Sequence, residues 1–333
     1  MENENISDLP KVSIIIATLN NEKTIGECLK SIFELNYPKE LLEVIVVDGD
    51  SNDATVKIAK NYSAKIIIKQ ANAPSAYNYA MNYVEGEILG TIDADAKVEK
   101  EWLNKLIVHL KDPKVAGVSG TIETWNNESM LPRCIGYDLK YRYNRIKNEA
   151  NRVATMNLLL KKNIVQEVGG FDENLATQYD TDLGVRITSK GYKIILEPQA
   201  KCYHFNRPTF EEYFKQQLQY GKNASKLYLK RPNLVRGDAI TDFWMNIQPI
   251  LIVVTTLLFI AGFFEKIMWY ISASILAFLL IFYFASAFRL SYIYKDAGAM
   301  LLVVVYFVRA IAWTIGGVIF AFKILRAGGR INF

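Results

Sequence analysis

Thr91-Ile92-Asp93-Ala94-Asp95-Ala96 follows the apolar run Ile88-Leu89-Gly90, so two carboxylates stand two residues apart where a buried strand should end. Carboxylates in such a place are costly unless something cationic pairs with them. A divalent metal is the simplest partner, and oxygen ligands of this kind suit Mg or Mn. A metal held by few protein oxygens keeps coordination positions open, usually for phosphate. Asp93 and Asp95 therefore read as a site for a metal-bound diphosphate. An isolated Asp-x-Asp is more often a solvated turn, so the elements around it must decide.

Those elements alternate between two periods. Residues 12–17 are an unbroken β-branched run, and residues 43–47 form a second one ending in Asp48. Residues 65–69 and 88–92 continue the series, and apolar residues at helical spacing fill the gaps: Ile25, Cys28, Leu29, Ile32; then 56–62; then Ala76, Tyr77, Ala80, Val84. This alternation predicts an α/β fold, a mostly parallel Rossmann-like sheet with helices on both faces. Ligands of such folds sit outside the carboxyl ends of the strands. Thr18, Asn20, Asp48, Asp50, Asp93 and Asp95 all follow predicted strand ends. Their convergence on one crevice is harder to attribute to chance than any one of them.

Farther along, residues 101–110 read as a helix, 115–122 as a strand, 169–173 as a turn, 181–191 as a helix and 192–196 as a strand. Residues 210–230 form a long amphipathic helix whose aromatic residues would enter a membrane interface and whose lysines would meet head groups. Three apolar stretches follow, about residues 247–264, 269–288 and 299–322. Each is long enough to span a bilayer. The first is short and contains Pro249, and the third carries Arg309 near its middle, so two spans or three are expected. The resulting division is a flexible tail at 1–10, a cytoplasmic domain at 11–205, an interfacial segment at 206–240 and a membrane region at 241–333.

The 333-residue chain has a formal net charge of +5, too modest to suggest nucleic acid. Basic residues between Arg207 and Arg236 flank the apolar region, which fits the cytoplasmic face of a cell membrane. Cys28, Cys134 and Cys202 are scattered, implying neither zinc nor a disulfide framework. The acidic N-terminus has no signal-peptide pattern.

Taken together, the motifs resemble family-2 glycosyltransferases, the inverting enzymes with a nucleotide-diphospho-sugar (GT-A) fold. Residues 12–20 are similar to the family's opening strand and uridine-contacting turn, and residues 43–55 to its second motif, whose first aspartate, here Asp48, contacts the base. Asp93-Ala94-Asp95 matches the metal motif. Gly169-Gly170-Phe171-Asp172-Glu173, with Tyr179-Asp180-Thr181-Asp182 and Arg186, resembles the acceptor-side motif, whose aspartate is the catalytic base. The likeness runs from about residue 10 to 230. The C-terminal part is similar to membrane-anchored members that build exopolysaccharide on a lipid carrier, such as the ExoA-like succinoglycan enzymes. Ala17 stands where proline is usual, Asp50 where the family has Gly or Asp, and Tyr179 where an acidic residue often precedes the base. No Q-x-x-R-W motif of processive synthases is present, which favours addition of one sugar.

The resemblance implies a nucleotide-diphospho-sugar donor, a lipid-linked polyprenyl-phosphate or -diphosphate acceptor, and polysaccharide or glycan biosynthesis. Asp95, helped by Asp93, would hold the metal, and Asp180 would take the acceptor's proton, with Asp182 in reserve. His204 is either a third contact to metal or diphosphate or a packed histidine. Asn78 either approaches the nucleotide or serves its helix. Arg309 either faces the acceptor's lipid phosphate, or snorkels, or pairs with an acid such as Asp296. The competing reading of the chain is a catalytically weak, membrane-anchored nucleotide-sugar-binding subunit.

Overall fold

The computed structural model describes residues 9–152 and 154–328. Of the tail expected at 1–10, residues 1–8 lie outside the described residues. In chain order the first elements are β1 (Val12–Thr18), α1 (Ile25–Phe33), β2 (Leu42–Asp48), α2 (Thr55–Ala59), β3 (Lys65–Ile68), α3 (Ala73–Ala80), β4 (Ile88–Thr91), β5 (Ala96–Val98), α4 (Trp102–Ile107) and β6 (Val115–Thr124). Then come α5 (Met130–Tyr143), β7 (Leu158–Lys161), α6 (Lys162–Glu167), α7 (Tyr179–Ser189), β8 (Lys193–His204), α8 (Phe210–Lys230), α9 (Phe243–Ala261), α10 (Ile267–Tyr294) and α11 (Leu302–Arg326).

The chain divides into two compact units. One takes the described residues up to Trp125 together with Ile146–Phe205. The other takes Asn126–Arg145 and the described residues from Asn206 on. The continuous 11–205 stretch expected from sequence is thus interrupted: α5 packs with the C-terminal helices, on which Leu131 and Cys134 bury their side chains.

The first unit is an eight-stranded sheet in the order β3-β2-β1-β4-β7-β6-β8-β5. β3, β2, β1 and β4 run parallel, and β7 enters antiparallel beside β4. Side chains alternate across a strand, and the unbroken run of β1 follows from that. Val12, Ile14 and Ile16 enter one core with Leu29, Trp102 and Leu106, while Ile15 enters the other with Tyr77, Leu158 and Leu183. Each fully buried isoleucine contributes roughly 1.5–3 kcal/mol. The register pairs Thr18 with Asp48 and Ile15 with Thr91, so three parallel strands end side by side at one edge.

In the second unit, α9, α10 and α11 are apolar and long enough to cross a membrane. Only 11% of the α9 window and 22% of the α10 window are buried within the protein, so most of that apolar surface needs another apolar medium. Tyr213, Gln217, Gly221, Ala224 and Leu227 form one buried stripe of α8 at helical spacing. α11 covers this stripe, and there Gln217 accepts a hydrogen bond from the Trp313 indole at 2.9 Å. The crossing depends on two glycines. A Cβ on Gly221 would lie 2.5 Å from Trp313 Cα, and one on Gly316 would lie 2.4 Å from the Leu218 carbonyl oxygen. Gly221→Val is expected to push α8 off α11 at a cost of about 1–3 kcal/mol or more. Loss of the monodisperse peak in detergent size-exclusion at a temperature the parent tolerates is the readout. An unchanged peak and melting point would mean the crossing tolerates a side chain.

Candidate active site

Residues from the ends of β1 and β2 are tied into one rim. The Gly49 amide donates to the Thr18 carbonyl at 2.8 Å, the Asn20 amide to Ser51 Oγ at 2.8 Å, and the Asn52 amide to Asn20 Oδ1 at 3.0 Å. Thr18 Oγ1 donates to Asn21 Oδ1 at 3.1 Å. Asn20 and Asp50 both adopt left-handed backbone, with φ of 54° and 77°. That conformation suits Asn and Asp better than other non-glycine residues. Asp48 is fully buried and accepts from the Asp50 amide at 3.1 Å, the Ser51 amide at 2.8 Å and Ser51 Oγ at 2.7 Å. Its carboxylate therefore shapes the loop that presents Asp50.

Asn78 lies differently from the nucleotide-facing alternative. Its amide nitrogen donates to the Phe171 carbonyl at 2.8 Å and to Glu173 Oε1 at 2.9 Å, and its oxygen accepts from the Phe171 amide at 2.8 Å. With both ends of the amide engaged, Asn78 holds the 169–173 turn. Gly170 is required there: φ is +69°, and a Cβ would stand 2.7 Å from Asn78 Oδ1. The turn brings Phe171 against Tyr77 of α3 and Tyr179 of α7, with ring centroids 5.0–6.1 Å apart. This three-ring cluster gives Tyr179 a purpose that its departure from the family pattern left open.

The cluster joins the 169–182 segment to Asp93. Asp93 Oδ1 accepts from Thr155 Oγ1 at 3.2 Å and faces the Tyr77 hydroxyl at 3.4 Å, while Thr155 Oγ1 meets the Tyr179 hydroxyl at 3.3 Å. Asp180, the next residue, opens α7. Its charge is near enough to act on Asp93, whose carboxyl is held above the usual carboxylate range by burial first, then by Asp95, and in part by Asp180. His204 and the Thr155 hydroxyl oppose that rise. Thr155 and Tyr77 were not legible as site residues, because neither follows a strand end nor belongs to a charged motif.

Asp95 is 8% exposed and His204 7%. Antiparallel pairing of β5 with β8 sets His204 opposite Ala96, and this brings its Nε2 to 3.5 Å from Asp95 Oδ1. An aspartate oxygen and an imidazole nitrogen at this spacing are a donor pair suited to a divalent cation. The expected set of three, Asp93, Asp95 and His204, is not assembled: among the described residues no three His, Cys, Asp or Glu side chains close on a common point. Asp93 turns to Thr155 and Tyr77 instead.

Asp180 and Asp182 are clearly distinguished. Asp182 is fully buried and bound to Arg186 Nε at 2.7 Å, and Arg186 in turn donates to the Val168 carbonyl. Asp180 lies in the first turn of α7, where its Oδ1 accepts from the Thr181 amide at 2.7 Å.

Arg309 belongs to the other unit. It is 6% exposed and bonds Asp138 Oδ2 at 2.9 Å. Tyr306 donates to Asp138 Oδ1 at 3.1 Å, and Arg142 lies 3.1 Å from Oδ2. Burial pushes the Asp138 carboxyl up, but Arg142 and Arg309 outweigh it, and the group stays ionised below the ordinary range. Asp296, the acid considered as partner for Arg309, instead binds Arg133 at 2.9 Å and Tyr137 at 3.0 Å. Arg309 sits seven residues into α11, about 11 Å from the helix start, and near the middle of the apolar span Ala297–Arg326.

Residues 13–165 match the family described as Glycosyl transferase family 2. The match ends before the turn at 169 and before Asp180. "Probable glycosyltransferase YdaM" of Bacillus subtilis is 29% identical over 68% of this chain and 58% of its own length. "Glycosyltransferase AglE" of Haloferax volcanii is 29% identical over 67% of this chain and 76% of its own. The chain thus spans less than two thirds of the Bacillus relative. A mannosyltransferase from Pyrobaculum calidifontis, solved with GDP-Man and Mn2+, superposes with a TM-score of 0.62 at 19% identity, covering 96% of this chain and 89% of its own. At that identity the likeness speaks for the fold.

Proposed function

We propose that the chain, whose residues 13–165 match the glycosyl transferase family 2 model, moves one sugar from a nucleotide-diphospho-sugar to a lipid-linked polyprenyl-phosphate or -diphosphate acceptor, with inversion, in polysaccharide or glycan assembly. The observation that carries this is the continuous path from Asp93 through Thr155 and Tyr179 to the start of α7, which carries Asp180 within electrostatic reach of Asp93. Single displacement needs a cation to neutralise charge on the leaving diphosphate and a base beside the incoming hydroxyl.

The rim formed by Thr18, Asn20, Asp48 and Asp50 would receive the nucleotide, since it lies at the carboxyl ends of the parallel strands. Asp95 and His204 would hold Mg or Mn, which when bound neutralises charge on the diphosphate. The Pyrobaculum structure, with its Mn2+, supports that choice. Asp180 would accept the proton of the attacking hydroxyl. The three apolar helices would keep the enzyme beside a lipid acceptor, and the basic residues before α9 favour a cytoplasmic catalytic unit. Succinoglycan-type chemistry is one acceptor pathway within this reading.

Asp95→Ala tests the metal. It should abolish metal-dependent donor binding and transfer, because His204 alone is a weak site for Mg or Mn. Titration of Mn with and without donor, by calorimetry, gives the readout. Undiminished activity in excess EDTA, or in Asp95→Ala, would overturn the metal role.

A further inference from the structure

Within the C-terminal unit, α5, α9, α10 and α11 enclose a cavity of about 380 Å³. Four arginines line it: Arg142, Arg145, Arg289 and Arg309. Only two carboxylates do, Asp138 and Asp242. Asp138 holds both Arg142 and Arg309, and Asp242 holds Arg145 at 2.9 Å. Arg289 makes no ion pair among the described residues; its guanidinium lies over the Tyr141 ring, 5.2 Å from the centroid. The lining therefore carries two positive charges in excess. Crowding like charges into a small cavity between apolar helices is unfavourable unless an anion joins them.

Position narrows the anion. Arg289 is five residues from the end of α10, and Arg309 seven from the start of α11, about 8 and 11 Å in from those ends. Trp244 stands at the second residue of α9 and is exposed. These three places are at the same end of consecutive, tightly connected helices, at the depth where lipid head groups meet hydrocarbon. Planar guanidiniums are the groups best fitted to grip phosphate oxygens in pairs. Trp244 and Phe282 line the same cavity and offer apolar walls to a chain attached to that phosphate.

We infer that this cavity binds the phosphate of the lipid acceptor, gripped by Arg289 and Arg145 above the Asp138–Arg309 pair. The inference rests on the lipid-acceptor reading above, and it is tested without catalysis. The full chain in detergent micelles is titrated, with no sugar donor present, with a labelled polyprenyl phosphate and with the matching polyprenol. The phosphate form should bind about ten- to a hundred-fold more tightly, and Arg289→Gln and Arg145→Gln should each remove about ten-fold or more of that preference. Arg145 is half-exposed (48%), so its variant keeps the fold even where Arg289→Gln does not. Equal binding of alcohol and phosphate, or wild-type affinity in Arg145→Gln, would overturn the site. Displacement of the probe by equimolar phosphatidylglycerol would make it a general head-group site, and displacement by millimolar inorganic phosphate a free-phosphate site; either result overturns the acceptor assignment. If the probe binds as expected but the protein transfers no sugar to it in a separate assay, the proposed function fails and the cavity's phosphate specificity stands.

Discussion

Asp180→Asn should lower sugar transfer by about a hundred- to ten-thousand-fold, the usual size of a general-base effect, while leaving donor binding intact. Asparagine keeps the shape of this side chain. The oxygen that accepts the Thr181 amide at 2.7 Å is retained, and only the proton-accepting charge is removed. Asp182→Asn should behave differently. Its carboxylate is buried against Arg186, so its loss should lower the melting temperature. Turnover and nucleotide-sugar affinity measured on both variants separate the two roles. An active Asp180→Asn beside a stable but inactive Asp182→Asn would move the base by two residues.

The second large effect concerns stability. Arg309→Leu is expected to cost about 3–5 kcal/mol, because it strips one partner from a buried ion pair and leaves Asp138 with Arg142 as its one cation and Tyr306 as its other donor. That is a large share of the roughly 5–15 kcal/mol that holds a typical native state together. The readout is thermal survival of the monodisperse species in detergent. The double variant Asp138→Asn with Arg309→Gln removes both charges and keeps hydrogen-bonding capacity, so it should be more stable than either single change. If Arg309→Leu melts with the parent, the pair contributes nothing to folding.

The parallel half of the sheet was legible because its signal is local. Residues 12–17 read as a strand buried on both faces, and β1 is that strand with Thr18 added. Strand ends then located Thr18, Asp48 and Asp93 together. The second half of the same unit was read less fully. β5 has three residues and β7 four, too short to show a period, and residues 192–196 announced only the first part of a twelve-residue β8. α5 escaped altogether, since Pro132, Gly136 and several charges break its apolar face. Its signal was electrostatic. A lone arginine in an apolar segment implies a buried acid somewhere, and Asp138 four residues before Arg142 was a candidate. No periodicity could have linked residues 171 positions apart.

That separation has a consequence for biosynthesis. At about 5–20 residues per second, a ribosome needs roughly 10–30 s to travel from Asp138 to Arg309. For that interval α5 exists without the helices that will cover Leu131 and Cys134, and its acid must wait for the more distant of its two cations. Arg142, one helical turn away, is available from the outset and can neutralise Asp138 while the nascent helix stays hydrated. A ribosome stopped near residue 235 would leave α5 permanently in that waiting state, with the apolar stripe of α8 bare beside it, a form that chaperones and proteases are built to remove.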